Sequence, residues 1–277
     1  MTNPPDAGHP VVLGVLNVTP DSFSDGGRFT HVEAAVAHGL RLSADGADLV
    51  DVGGESTRPG AARVEATEEL RRVLPVISEL SAAGVPTSID TSRATVAAAA
   101  LEAGAAVVND VSGGLADPDM GRVVAEAGCS WILMHWRGHS TQMAKMAQYH
   151  DVVREVRSEL CDRIDAALSV GVGAKQIIID PGLGFAKNAE HNWRLAAHLD
   201  DLISLGYPVL VGTSRKSYLG SLLAGAAGQW RPVTERDAAT VATTVLAVAA
   251  GAWGVRVHDV RGNVDAIRVW QATRVAR

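Results

Sequence analysis

The residues in this chain that can do chemistry recur at the ends of short apolar runs. VVLGVLN, LVDVGGE, PTSID, AVVND, WILMH, QIIID, PVLVGTS and GVRVHD carry, at or near their ends, Asn17, Asp51, Asp90, Asn109, His135, Asp180, Ser214 and His258. Two of the runs lead into long polar segments: NVTPDSFSDGG from Asn17 to Gly27, and GGESTRPGA from Gly53 to Ala62. Pro, Asp, Ser and paired Gly continue neither a strand nor a helix, and their side-chain oxygens suit ligand contacts. Either segment alone reads equally well as a polar connector. The second carries Arg58 between Thr57 and Pro59, and a guanidinium fork there points to an anionic group, because its planar donors match phosphate oxygens.

Asp90, Asn109 and Asp180 emerge from apolar surroundings. Buried carboxylates and amides are costly without partners, and a ring-nitrogen ligand with several N–H donors would satisfy them. Each also has a structural alternative: Asp90 precedes TSRATVAAAA and can cap a helix, and Asp180 in DPGLGF can close an Asx turn. Three such acceptors on different strands are harder to assign to capping alone. The cations follow later. Lys216 lies in TSRKSYLG, where Arg215 reads as surface charge, while Arg256 and His258 alternate with valines and so share one face of a strand.

Helices must separate these runs. After His150, Val152, Val156, Leu160, Ile164 and Leu168 recur every four residues among charged neighbours, which predicts one amphipathic helix stopped at Gly171. The same glycine stop stands in ADGADLV, AAGVPTS, EAGAAVV, EAGCSWI, SLGYPVL and GAWGVRV. Strands apolar on successive residues suit a parallel sheet covered on both faces. Eight β/α units predict a single (β/α)8 TIM barrel over residues 1–277, with residues 1–10 as a flexible N-terminal stretch and the active site at the carboxyl rim of the strands. That places Arg256 and His258 in the barrel interior.

Composition narrows the classes. The chain has 277 residues, 47% of them hydrophobic, and a formal net charge of −6. No basic run tracks a phosphate backbone, so nucleic acid is not an expected partner. The beginning MTNPPDAGHP lacks a basic then apolar leader, and the stretch from Ala238 to Ala252 is alanine-rich and broken by threonines; the expectation is a cytoplasmic protein with no membrane partner. Cys129 and Cys161 lack metal-site spacing and read as buried apolar filler.

Taken in order, GVLNVTPDSFSDGG, DVGGESTRPGA, SIDT, NDVSGG, LMHWRG, IIIDPGLGFAK, VGTSRKSYLG and VRVHDV resemble the motif set of the dihydropteroate synthases, in the actinobacterial form. The resemblance covers nearly the whole chain. It implies a transferase of folate biosynthesis that joins 6-hydroxymethyl-7,8-dihydropterin diphosphate to p-aminobenzoate, with C–O cleavage ahead of amine attack. It also implies Mg2+ as cofactor, a homodimer through outer helices late in the chain, and a sulfonamide target.

Carried over position by position, the resemblance assigns Asp90, Asn109, Met134, Asp180, Lys216 and Arg256 to the pterin. Asn17, Arg58, Arg256 and His258 go to the diphosphate, with Asn17 as the Mg2+ ligand. Phe23, Thr57, Pro59, Phe185 and Ser217 go to p-aminobenzoate, with Ser217 at a helix start suited to a carboxylate. Asp25, Arg58, Lys216, Arg256 and His258 form the catalytic set, Asp25 aiding the cation or the incoming amine. Two alternatives stay open at this point: a silent relative that keeps the barrel, although the segments such relatives alter are intact here, and a methyltetrahydrofolate-binding methyltransferase domain, which would not need the cluster of Arg58, Arg256 and His258. The segment between Leu222 and Asp237 has no reading from sequence.

Overall fold

A computed structural model describes residues 9–19, 28–55, 63–139 and 143–276. Eight parallel strands form one sheet: β1 (Val11–Asn17), β2 (Leu49–Gly53), β3 (Thr87–Asp90), β4 (Val107–Asp110), β5 (Ser130–Met134), β6 (Ile177–Asp180), β7 (Leu210–Val211) and β8 (Gly254–Val257). Pairing runs β6-β5-β4-β3-β2-β1-β8-β7, and a parallel bridge between Ile179 and Val209 brings the two edges together. The result is the expected (β/α)8 barrel, nearly closed.

Helices connect the strands on the outside. They are α1 (Arg28–Ala44), α2 (Ala66–Ala82), α3 (Ala94–Glu102), α4 (Met120–Ala127), α5 (Met143–Met146), α6 (Val152–Ser169), α7 (Ala189–Ala197), α8 (Leu199–Ile203), α9 (Ser217–Leu222), α10 (Asp237–Ala250) and α11 (Val260–Val275). The terminating glycines take the conformation their role requires: Gly128 closes α4 at φ 65° and Gly251 closes α10 at φ 105°, where a Cβ would be strained.

The core has two parts because strand side chains alternate between faces. Outward residues such as Leu16, Val50, Ile89 and Ile179 pack beneath the helices, while Val11, Leu13, Val107, Ile132, Ile178 and Leu210 fill the lumen floor. The stripe predicted for α6 holds at Val152, Val156, Leu160 and Ile164, but Leu168 is exposed and Ala167 is buried instead. A four-residue step overshoots the helical turn by about 40°, so the stripe drifts off the core face after several repeats. Cys129 and Cys161 are free and half-buried, not buried as expected.

Ile132 lies fully buried in the lumen floor. Ile132→Ala should lower unfolding free energy by about 2–5 kcal/mol, through lost burial plus the cavity left behind, as read from urea denaturation.

Candidate active site

Above the apolar floor the lumen turns polar, and strand parity decides which side chains enter it. Val15 and Asn17, Asp51 and Gly53, Ser88 and Asp90, Asn109, Met134, Asp180, and Arg256 with His258 occupy the inward positions. Register sets them side by side: Gly53 pairs with Asp90, Asp90 with Asn109, and Met134 with Asp180. A cavity of about 480 Å3 opens at this end, lined by Asn17, Asn109, Met134, Asp180, Phe185, Lys216, Ser217, Arg256 and His258. Of the residues predicted for the pterin and the diphosphate, Asn109, Met134, Asp180, Lys216, Arg256, Asn17 and His258 line this one pocket, of a size typical for a small-molecule site, while Asp90 lies beneath it, paired with Arg256. Phe23, Asp25, Thr57, Arg58 and Pro59 lie outside the described residues.

Arg256 organises the floor of this pocket. Its Nε donates to Asp51 Oδ2 at 2.6 Å and its Nη2 to Asp90 Oδ2 at 2.7 Å. Asp51 is fully buried and also accepts from Ser88 Oγ at 2.5 Å and Asn109 Nδ2 at 3.0 Å. Burial works against the charge on Arg256, but Asp51 and Asp90 outweigh it and hold the guanidinium above its ordinary range. Burial pushes the Asp90 carboxyl up to about 7, against the pull of Arg256. Asp90 is not a helix cap, since α3 begins at Ala94 with its N–H on Asp117.

Each remaining ligand-facing group is oriented by a neighbour. Asp180 makes the anticipated Asx turn, accepting from the Gly182 N–H at 2.7 Å through Oδ1, while the same carboxyl lines the cavity. Burial raises its pKa. The Asn109 amide spends an N–H on Asp51, and the residue lines the pocket. Lys216 sits with Nζ 4.0 Å above the Phe185 ring, and burial with Arg256 nearby lowers its pKa to about 8. The preceding Arg215 also lines the cavity; it takes a left-handed φ of 58° and its guanidinium forks onto Asp237 at 2.7 and 2.8 Å.

Two findings depart from the sequence reading, and a third fills a gap in it. His135 faces outward, because it has the opposite parity to Met134, and contacts Glu159 on α6. His258 is held neutral: burial, with Arg256 beside it, lowers its pKa to about 3, so it is an imidazole in the free site and not an imidazolium. Ser214 Oγ lies 2.9 Å from His258 Nδ1 and accepts the His258 backbone N–H. The segment that sequence left unread ends in Arg236, whose guanidinium donates to the carbonyls of Arg231, Arg215 and Lys216 and so clamps the loop presenting Lys216 and Ser217. Ser88 and Arg236 were missed as site residues, and Asp51 was singled out but given no role. For Asp51 the signal was present, since an acid inside LVDVG must find a buried partner.

A profile of pterin-binding enzymes matches residues 13–258, from β1 to His258. Dihydropteroate synthase of Mycobacterium leprae (strain TN) is 56% identical over 259 residues, covering 93% of this chain and 91% of that protein. This chain belongs to the dihydropteroate synthases. It is therefore a transferase of folate synthesis. Solved dihydropteroate synthase structures share the fold. That of Xanthomonas albilineans with 4-aminobenzoic acid superposes with TM-score 0.89 at 48% identity, covering 97% of this chain and 94% of that one. The same organism's dihydropteroate synthase with 7,8-dihydropteroate gives 0.86 at 46% identity, covering 97% and 95%.

Asp51 is the counter-ion that keeps a charged Arg256 in the lumen. Asp51→Ala should cost about 3 kcal/mol in urea denaturation, because a buried guanidinium loses its partner; a loss below about 1 kcal/mol would mean that Arg256 does not depend on it.

Proposed function

We propose that the rim cavity joins 6-hydroxymethyl-7,8-dihydropterin diphosphate to p-aminobenzoate, releasing diphosphate and forming 7,8-dihydropteroate. The observation that carries this reading is the placement of N–H acceptors and fixed cations in a single pocket. Asp180 and the Asn109 carbonyl accept from the pterin N–H edge, Met134 packs against the ring, and Asp90 supports this half through Arg256. Binding of 4-aminobenzoic acid and 7,8-dihydropteroate by the Xanthomonas albilineans relative supports the choice of substrates.

The C–O bond to diphosphate breaks first, with the electron pair leaving on the diphosphate oxygen. Arg256 and His258 line the cavity where that charge develops, Arg58 keeps the part that the family resemblance gives it, and donors placed in advance need no reorganisation as the charge grows. The aniline nitrogen then attacks the exposed carbon and loses a proton. Ser217 seats the p-aminobenzoate carboxylate through its hydroxyl and the first-turn N–H groups; α9 has only six residues, so its dipole adds little. Phe185 walls the ring, and Phe23, Thr57, Pro59 and Asp25 keep the parts that the family resemblance gives them.

Mg2+ fits at Asn17. This residue lines the mouth near His258, its amide oxygen is a hard donor, and Mg2+ is commonly held by one or two protein oxygens together with substrate phosphates. When bound, the ion neutralises charge on the departing diphosphate. We further propose a cytoplasmic homodimer. Its support is the apolar outer surface late in the chain, where Leu246 on α10 and Val269 on α11 stay 68% and 66% exposed on helices that pack together. Among the described residues no helix is long and apolar enough to cross a membrane.

Purified protein with pterin diphosphate, p-aminobenzoate and Mg2+ should form dihydropteroate, and a sulfonamide should compete with p-aminobenzoate; no product would defeat the reading in favour of a silent relative. Asp180→Ala should fold normally and lose at least about tenfold in pterin affinity by calorimetry, as expected when buried N–H donors of the ligand are left unpaired. Unchanged affinity would reduce Asp180 to a turn residue.

A further inference from the structure

Beside the pocket, outside the lumen, lies a set of ionisable groups that the proposed reaction does not use. Lys187 lies near the end of the β6–α7 loop. It is half-buried as a residue, but its Nζ is enclosed by three acceptors: the Phe185 carbonyl at 3.0 Å, the Gly182 carbonyl at 3.1 Å and His135 Nδ1 at 2.9 Å. An ammonium has three N–H donors, and each here has one partner. With Nδ1 accepting, the His135 proton sits on Nε2 and donates to Glu159 Oε2 at 2.9 Å. Arg137 also grips Glu159. The loop is therefore tied through one side chain to the end of β5 and to α6.

The loop needs such a tie. Gly182, Gly184 and Ala186 take φ of 64°, 82° and 45°, and the left-handed region is unfavourable for Ala186, which carries a Cβ. What the loop presents is functional. The Gly182 N–H fixes Asp180, a Cβ on Gly184 would stand 2.8 Å from the Lys216 side chain, and the Phe185 ring lies under the Lys216 ammonium.

We infer that Lys187 is a positioning residue: by binding the Gly182 and Phe185 carbonyls to His135, it holds the Phe185 ring against Lys216 and so shapes the p-aminobenzoate half of the site. The inference rests on the proposed role of Phe185. Asn109 and Arg256 are seated on strands and make no bond to this loop; Asp180 is likewise held on β6, and its bond to the loop is through the Gly182 N–H, whereas Lys187 grips the Gly182 carbonyl.

The test compares the full-length enzyme with Lys187→Met and Lys187→Arg. In Lys187→Met the KM for p-aminobenzoate should rise about tenfold, the effect of two carbonyls losing their donor, while the KM for the pterin diphosphate stays within about twofold. Lys187→Arg, which keeps the charge and several donors, should recover most of the loss. Equal rises in both KM values, a loss confined to kcat, or no change in a folded variant would overturn the inference. Should Lys187→Met not fold, Lys187→Gln should show the same split with a smaller rise, and lack of that split would count equally against it. Amide exchange reads the clamp without turnover: the Gly184 and Phe185 N–H groups, bonded to Asn192 and to the Gly182 carbonyl, should exchange at least about tenfold faster without the ammonium. Unchanged exchange would overturn the clamp whatever the activity shows, whereas inactivity of the unaltered enzyme would count against the reaction alone.

Discussion

A guanidinium held between two carboxylates inside a barrel is the contact on which the site depends. Arg256 reaches from β8 across the lumen to Asp51 on β2 and Asp90 on β3, residues separated from it by most of the chain. None of the three charges is tolerable alone at that depth, since desolvation of a lone ion exceeds anything packing returns. Together they form a paired, strongly dipolar floor in which one guanidinium serves two carboxyl groups. Asn109 and Ser88 complete the shell around Asp51, so the polar layer is satisfied from below and leaves its open faces toward the cavity.

The rest of the pocket extends this principle outward. Asp180 has one oxygen taken by its own loop, His258 is seated on Ser214, and Lys216 is framed by the Phe185 ring below and by the Arg236 clamp behind its backbone. Among the described residues, Asp180 and Asn109 are each oriented by a group that would not itself meet substrate, the Gly182 N–H and Asp51. Such an arrangement suits the departure of diphosphate, because stabilisation of growing charge is greatest when donors are already aligned in a region poor in water. The neutral state of His258 belongs to the same picture: next to Arg256 an imidazolium would add repulsion before any anion arrives, whereas a neutral ring still offers an N–H.

Much of this was legible in the chain itself. Seven strands fall within the apolar runs and β5 starts one residue before its run, the helix-ending glycines adopt left-handed geometry, and the parity of Arg256 and His258 in VRVHD placed both in the lumen. Local rules suffice there because strand alternation and glycine conformation act within a few residues. The readings that failed were those for which local spacing underdetermines direction. His135 ends its apolar run as Asp180 does, yet it is one residue beyond the inward Met134 and so points to α6. Leu168 continued a four-residue pattern that the helix does not keep.

Sequence by itself therefore determined the barrel, its polar rim and the membership of most of the pocket. Tertiary structure alone decided who partners whom: that Asp51 holds Arg256, that Asp90 is an ion-pair partner and not a cap, that Arg236 braces the Lys216 loop, and that Lys187 and His135 join α6 to the loop beneath Phe185. The reason is physical. Burial and charge pairing depend on distances across the closed sheet, and those exist only once distant segments have been brought together.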